Sequence, residues 1–379
     1  MNAVLELGAL PFNIGTRPVP SNSPFPDELP FTAGFDEKLG IIAQVPNPDV
    51  AALLDRVYAH GSQLSTPMND YGLGKATCQD FIDFLLSSRG YSNLSGMRVL
   101  EIGCGTGFLL SQLQILGADV LGIEPGMNSS VHAKHAGIHV IHHPFESIPL
   151  KDTFDLIVHT NVLEHVGAPL DFLRRQFATL GREGRIVLAV PDCEAPIMHG
   201  DLSMFVHEHW SYLTRASLMS LVIGAGGRVV SMRKAGVGGA LYAMVEAGDA
   251  SRLLARASSD AQDEFINLNE RASRGEEVMR EFISARQKVT VGIYCPGRFL
   301  NYWGLAGKPA IRLFDDDAGF HGRYLPPMPF PVETRKQLCA KPVDSLLVMS
   351  RTFGEALAAD LRGETALHGC EITTVAQLF

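Results

Sequence analysis

The feature that most constrains this chain is a strand that runs directly into three alternating glycines and then into an apolar helix. MRVLEI (97–102) has the apolar run of a buried strand, Gly103-Cys104-Gly105-Thr106-Gly107 follows at once, and FLLSQLQILG (108–117) reads as a helix. Glycines at a strand-to-helix turn let a ligand approach the backbone, and the helix N-terminus offers N–H groups to meet it. Such a turn belongs at the carboxyl end of a strand in an open, mostly parallel sheet. The surrounding sequence agrees, because apolar runs recur as ADVLGIE, IHVIH, FDLIVH and GRIVLAV with helix-like segments between most of them. Two further runs, GRVVSM and ALYAMVE, are separated only by Arg233–Gly239, which permits an antiparallel hairpin and no crossover. The expectation is an α/β fold with a seven-stranded sheet, five strands parallel and closed by the hairpin.

Four segments are expected. Residues 1–90 form an N-terminal arm and helices: 1–57 are rich in Pro, Asn and Phe and read as an irregular arm, with helical patterning at Pro48–His60 and Cys78–Arg89. Residues 91–247 hold the sheet. Residues 248–288 read as one or two connecting helices, with Phe265, Leu268, Val278 and Phe282 at helical spacing. Residues 289–379 restart the alternation with VTVGIY, AIRLFDDD and DSLLVMS, as a smaller α/β domain. A hydrophobic share of 46% in 379 residues supplies a sizeable core. The net charge of −9 and the lack of any Lys/Arg run argue against nucleic acid or an anionic membrane as partner. There is no basic leader followed by an apolar stretch and no apolar run long enough to span a membrane. The six cysteines are scattered, so reduced thiols, a cytoplasmic location and no cysteine-built metal site are expected.

The acids around the glycine turn narrow the ligand. Glu101 precedes the glycines and Glu124 ends the next strand, where an acid typically hydrogen-bonds ribose hydroxyls. An acid before the glycines repels a pyrophosphate but suits a sulfonium or ammonium cation. With these elements in order, VLEIGCGTGFLL, GIEPG and FDLIVHTNVLEHV resemble a class I S-adenosylmethionine-dependent methyltransferase over about Met97–Ala247. The resemblance implies S-adenosyl-L-methionine as cofactor. Its methionine part would face Glu101 and Gly103, Cys104, Gly105, Thr106 and Gly107, and its ribose Glu124 and Pro125. Phe145 and Glu146 would lie near adenine, and Asn161, Val162 and Leu163 at the sulfonium.

Two clusters offer bases: Glu164-His165 after the fourth strand, and Phe205-Val206-His207-Glu208-His209-Trp210-Ser211-Tyr212 after the fifth. Imidazole titrates near neutral pH and suits proton transfer. His207-Glu208-His209 as a metal site is disfavoured, since adjacent ligands on one segment rarely converge, and no metal is expected; a solvated loop is the other reading. The combination is similar to the C-methyltransferases of nucleotide-linked keto-deoxysugars, with counterparts in His207–His209, in the strand Gly238-Gly239-Ala240-Leu241-Tyr242 and in Val289–Phe379. That resemblance implies His209 as the base removing a proton beside a ketone, Glu208 orienting it, His165 at the developing enolate, and His207 in the same cluster. Tyr58, His60, Tyr71, Tyr212 and Tyr242 would contact the substrate, a small molecule in which a nucleotide-linked sugar is one option. O- or N-methylation of a natural-product intermediate is the alternative. The departures are specific: that family's N-terminal zinc-binding cysteines are absent, one of its tyrosines is His60, and Ala240 and Tyr242 replace a Ser and an Arg. An expected Lys near Gly322 is Phe320, so donors for a diphosphate are missing unless Arg298, Lys308, Arg312 and Arg323 compensate.

Overall fold

A computed structural model describes residues 4–12, 16–19, 25–60, 68–88, 90–126, 131–248, 259–304 and 310–379. They fall into two compact units, one drawn from Gly34–Glu194 and Glu208–Gln262, the other from Ala3–Ala33, Ala195–His207 and Asp263–Phe379. The N-terminal stretch, expected as an irregular arm, instead contains strands β1 (Val4–Pro11), β2 (Glu28–Asp36) and β3 (Ile41–Gln44). The reason lies in β2 itself: Phe31, Ala33 and Phe35 alternate and are all buried, a two-residue period that the Pro-rich composition around it masks. Helix α1 follows at Pro48–His60 and α2 at Gly72–Ser87.

The first unit is built on seven strands: β4 (Arg98–Ile102), β5 (Asp119–Ile123), β6 (Val140–Ile141), β7 (Phe154–Thr160), β8 (Leu180–Pro191) and, after the short β9 (Ser211–Tyr212), β10 (Gly227–Lys234) and β11 (Ala240–Ala247). Their order is β10-β11-β8-β7-β4-β5-β6. β4 to β8 run parallel, while β10 and β11 form the expected antiparallel hairpin against β8. The parallel strands carry unbroken buried runs such as Leu156-Ile157-Val158 because both faces are covered. Phe81, Phe84 and Leu85 of α2 pack one face with Val99 and Val158. Phe172 and Leu173, with Leu218, Leu221 and Val222, pack the other. β3 pairs antiparallel with β9, Ile42 opposite Tyr212.

In the second unit five parallel strands, β12 (Val291–Tyr294), β13 (Ile311–Phe314), β14 (Val332–Glu333), β15 (Ser345–Val348) and β16 (Glu371–Thr374), take the order β14-β13-β12-β15-β16. Among the described residues of 248–288, where one or two helices were expected, one helix runs over Ser259–Ser284. The segment that ends in His207 is pinned here by Asp201, whose buried carboxylate accepts from Tyr302 Oη at 2.8 Å, from the Ser203 N–H at 2.9 Å and from Arg351.

Candidate active site

The glycine turn lies at the carboxyl end of β4, the central parallel strand. Gly103 has φ +68, and a Cβ there would stand 2.5 Å from Val162 Cγ2, so only glycine lets the loops after β4 and β7 close on each other. Helix α3 (Phe108–Ile115) starts immediately after Gly107. Glu101 is buried and its Oε2 makes no hydrogen bond. Burial, with the Glu124 carboxylate nearby, pushes its carboxyl well above the usual range. A buried acid of this kind fits a cationic ligand group, which would supply the missing partner. Glu124 is placed differently, accepting the Gly105 N–H at 2.9 Å and the Gly126 N–H at 2.9 Å, one on each oxygen. Each oxygen keeps a second lone pair for a hydroxyl. Pro125 and Glu146 are exposed, whereas Phe145 is buried against Phe172 with the Arg175 guanidinium over its ring. Cys104 is buried in a small cluster with Leu110 and Ala133.

Beyond β7 the backbone turns sharply. Asn161 takes φ +53, a conformation that costs a non-glycine residue about 1 kcal/mol or more and is typical of functional turns. Leu163 and Glu164 are buried, and neither Glu164 carboxylate oxygen makes a hydrogen bond to another of the described residues. Burial raises the Glu164 carboxyl to about 8 and lowers His165 to about 4. The His165 and His209 rings meet edge to face with centroids 4.8 Å apart. His165 Nε2 lies 3.9 Å from Glu164 Oε1. The two segments are held together by the Trp210 N–H, which donates to the Glu164 carbonyl at 2.7 Å. Tyr212 is buried, with its ring 6.1 Å from that of His209.

The structure therefore brings Glu164, His165 and His209 together, with Glu208 buried next to them in sequence. It does not group His207 with them. That residue belongs to the second unit, where its Nδ1 is 3.1 Å from the Pro11 carbonyl and its Nε2 3.4 Å from that of Pro30, between the rings of Phe12 and Phe31. Tyr242 is fully buried against Phe81 and Phe84, on the α2 side of the sheet. Tyr71 is 71% exposed at the start of α2. The side chains of Tyr58 and His60, and Lys308, lie outside the described residues. Glu164 was visible in the sequence as part of a cluster, but nothing in its spacing tied it to His209. Three of the cations expected to compensate for lost diphosphate donors are engaged within the second unit: Arg298 donates to the Ser203 carbonyl, Arg312 pairs with Glu333 at 2.6 Å, and Arg323 donates to Thr16 Oγ1 at 2.7 Å.

Comparison with known proteins matches residues 73–232 to a family model described as "Methyltransferase domain". A ubiquinone biosynthesis O-methyltransferase of Bradyrhizobium diazoefficiens is 36% identical over 107 residues, covering 27% of this chain and 42% of that protein. The mitochondrial ubiquinone biosynthesis O-methyltransferase of Schizosaccharomyces pombe is 34% identical over 138 residues, 34% of this chain and 47% of that one. The chain thus spans just under half the length of these relatives. Among solved structures, a 1,6-didemethyltoxoflavin-N1-methyltransferase of Burkholderia thailandensis with bound S-adenosylhomocysteine is 17% identical, covering 58% of this chain and 96% of its own at a TM-score of 0.43. Among the described residues no helix is long and apolar enough to cross a membrane. The match to the family model falls on the same β4–glycine turn–α3 unit and the same two acids that the geometry singles out, and this chain contains a class I methyltransferase domain whose cofactor is S-adenosylmethionine.

Proposed function

We propose that the chain transfers a methyl group from S-adenosylmethionine to the carbon beside the carbonyl of a small keto metabolite, with a keto-deoxysugar as the nearest class. The observation that carries this reading is the meeting of Glu164, His165 and His209 at the carboxyl end of β7, two residues from the Val162 side chain that touches Gly103. The cofactor, when bound, supplies an electrophilic methyl on a positively charged sulfur. Glu101 would hold its ammonium end, the Gly103–Gly107 backbone its carboxylate side, and Glu124 its ribose. The acceptor is a carbon acid, and a base must remove its proton before the carbon becomes nucleophilic. His209 takes that proton. His165, kept neutral at pH 7 by burial, gives its one ring N–H to the Glu208 carbonyl and leaves its other nitrogen to accept from a hydroxyl of the acceptor. The backbone carbonyl of Glu208 faces His165 and fixes that ring. Tyr212 borders the acceptor, whereas Tyr242 and His207 serve as packing and anchoring residues.

Because Arg298, Arg312 and Arg323 are already partnered, an acceptor without a diphosphate is favoured over a nucleotide-linked one. A second reading, O-methylation, is favoured by the names of the curated relatives matched over the core, which are O-methyltransferases. Turnover with methyl-¹³C-labelled cofactor and a panel of keto-deoxysugars, free and nucleotide-linked, followed by carbon NMR, separates the readings. A new carbon–carbon bond supports the first; label found only on oxygen or nitrogen overturns it.

A further inference from the structure

We infer that Glu164, His165 and His209 together form a binding site for one divalent transition-metal ion of the zinc or ferrous class. The three side chains offer one ligand atom each, and these atoms lie within 4.8 Å of one another. Two imidazole nitrogens and one carboxylate oxygen are a donor set that suits such ions, whereas magnesium and calcium favour oxygen alone. Metal–ligand bonds of about 2.0–2.2 Å place tetrahedral ligand atoms roughly 3.4 Å apart, so the trio would need to close by up to about 1.4 Å.

An independent observation points to a ligand here. Glu164 is 1% exposed, and neither carboxylate oxygen makes a hydrogen bond among the described residues, although a buried carboxylate ordinarily requires partners. A cation between it and the two rings would bind one oxygen directly and compensate the charge of the carboxylate. The support behind the donors is already built, because the Trp210 N–H fixes the Glu164 carbonyl, and β9, carrying Tyr212, pairs with β3. Three protein ligands leave a position open for water or an acceptor oxygen.

The ion site stands apart from the methyl-transfer reading but has a consequence for it. An ion on His209 occupies the nitrogen lone pair that would accept the proton, so ion binding and proton abstraction by His209 exclude each other, and the ion acts as a brake on the reaction.

The test uses the full chain, stripped with a chelator and desalted, then titrated with Zn²⁺ by equilibrium dialysis and with Co²⁺ by visible absorption. The wild type should bind one equivalent more than Glu164→Gln and His209→Ala, with Co²⁺ ligand-field bands that both variants lack. Surface histidines such as His135 and His143 remain in every sample and cancel in that difference. Binding of S-adenosylhomocysteine by each variant verifies folding. Equal stoichiometry in all three proteins, or no binding by the wild type, overturns the site. Zn²⁺ should suppress methyl transfer by the stripped wild type at one equivalent; unchanged or increased turnover with the site filled overturns the brake. If the ion binds and no ketone is methylated, the methyl-transfer reading falls and the site stands.

Discussion

Glu124 and Glu164 are both acids just past the carboxyl ends of parallel strands in one sheet, yet they are built in opposite ways. Glu124 is half-buried, with each oxygen accepting a backbone N–H from a loop that also packs around it. Glu164 is fully buried with neither oxygen bonded, facing two imidazoles. The first arrangement stabilises the fold and pre-shapes a loop for a ligand that arrives with hydroxyls. The second costs stability, since burying a carboxyl without partners is unfavourable by about 1–3 kcal/mol or more. The contrast is between an acid held by backbone donors and one buried without them, and Glu101 at the glycine turn, with Oε2 unbonded among the described residues, sides with Glu164. A carboxyl held at such a cost, beside the perturbed His165, is where the proposed handling of a proton or cation would fall.

The sharpest way to break the comparison is His209→Ala. If the acceptor end does the chemistry and the cofactor end only binds, turnover should fall by roughly 10²–10⁴-fold. S-adenosylhomocysteine affinity, read by calorimetry, should stay nearly unchanged. An equal loss in both would mean that the two ends are one unit.

Glu164→Gln tests the cost directly. The folded carboxyl titrates at about 8 against an ordinary 4.5. Below pH 4.5 it is protonated folded or unfolded; from there to about 8 only the unfolded chain gives up the proton. Stability therefore falls as pH rises through that window, by at most ~1.4 kcal/mol per unit. Buried His159 and His165, lowered to about 3 and about 4, act oppositely and only below pH 6.5, where the unfolded rings charge first. Glu101, also raised by burial, adds a slope of the same sign, so it is the difference between wild type and the Gln variant in denaturant melts between pH 6.5 and 8 that isolates Glu164, and the variant's slope should be the shallower. An identical slope would mean that the carboxylate is solvated or paired in the native protein.

Glu101→Gln probes the cofactor end. Losing a charge-assisted partner for an ammonium costs about 1.5–3 kcal/mol, roughly 10–150-fold in cofactor affinity. The catalytic rate at saturating cofactor should change much less. This acid, with the glycines after it, could be read from the chain because a strand, a tight turn and a helix start are contiguous, and each leaves its own local signature. The Glu164–His165–His209 meeting could not be read from spacing, and only the resemblance put His165 and His209 at one acceptor. The meeting depends on the Trp210 N–H reaching the Glu164 carbonyl and on Ile42 pairing with Tyr212, contacts that no spacing encodes. For the same reason His207 and His209 read as one cluster, though His207 is engaged with the carbonyls of Pro11 and Pro30. Tyr242 was misleading in another way: alternation along β11 turns it inward onto Phe81, whatever its neighbours in sequence resemble.

The smallest expected effect is also the most specific to the glycine turn. Gly105 has φ +49 and no atom of the described residues within 4 Å of where a Cβ would stand, while its N–H is donated to Glu124. Alanine there meets no clash and costs only the left-handed conformation, about 1 kcal/mol of stability. By contrast, a Cβ on Gly107 would stand 2.4 Å from that of Ala133, so Gly107→Ala must displace the loop. If the open space beside Gly105 is where the cofactor lies, Gly105→Ala should lower S-adenosylhomocysteine affinity by more than the stability loss explains, because a methyl group then occupies ligand volume. Thermal melts with and without ligand read both quantities from one sample. A variant whose ligand-induced shift equals that of the wild type would place the cofactor away from this face of the turn, and would leave Gly105 with a purely conformational role in presenting its N–H to Glu124.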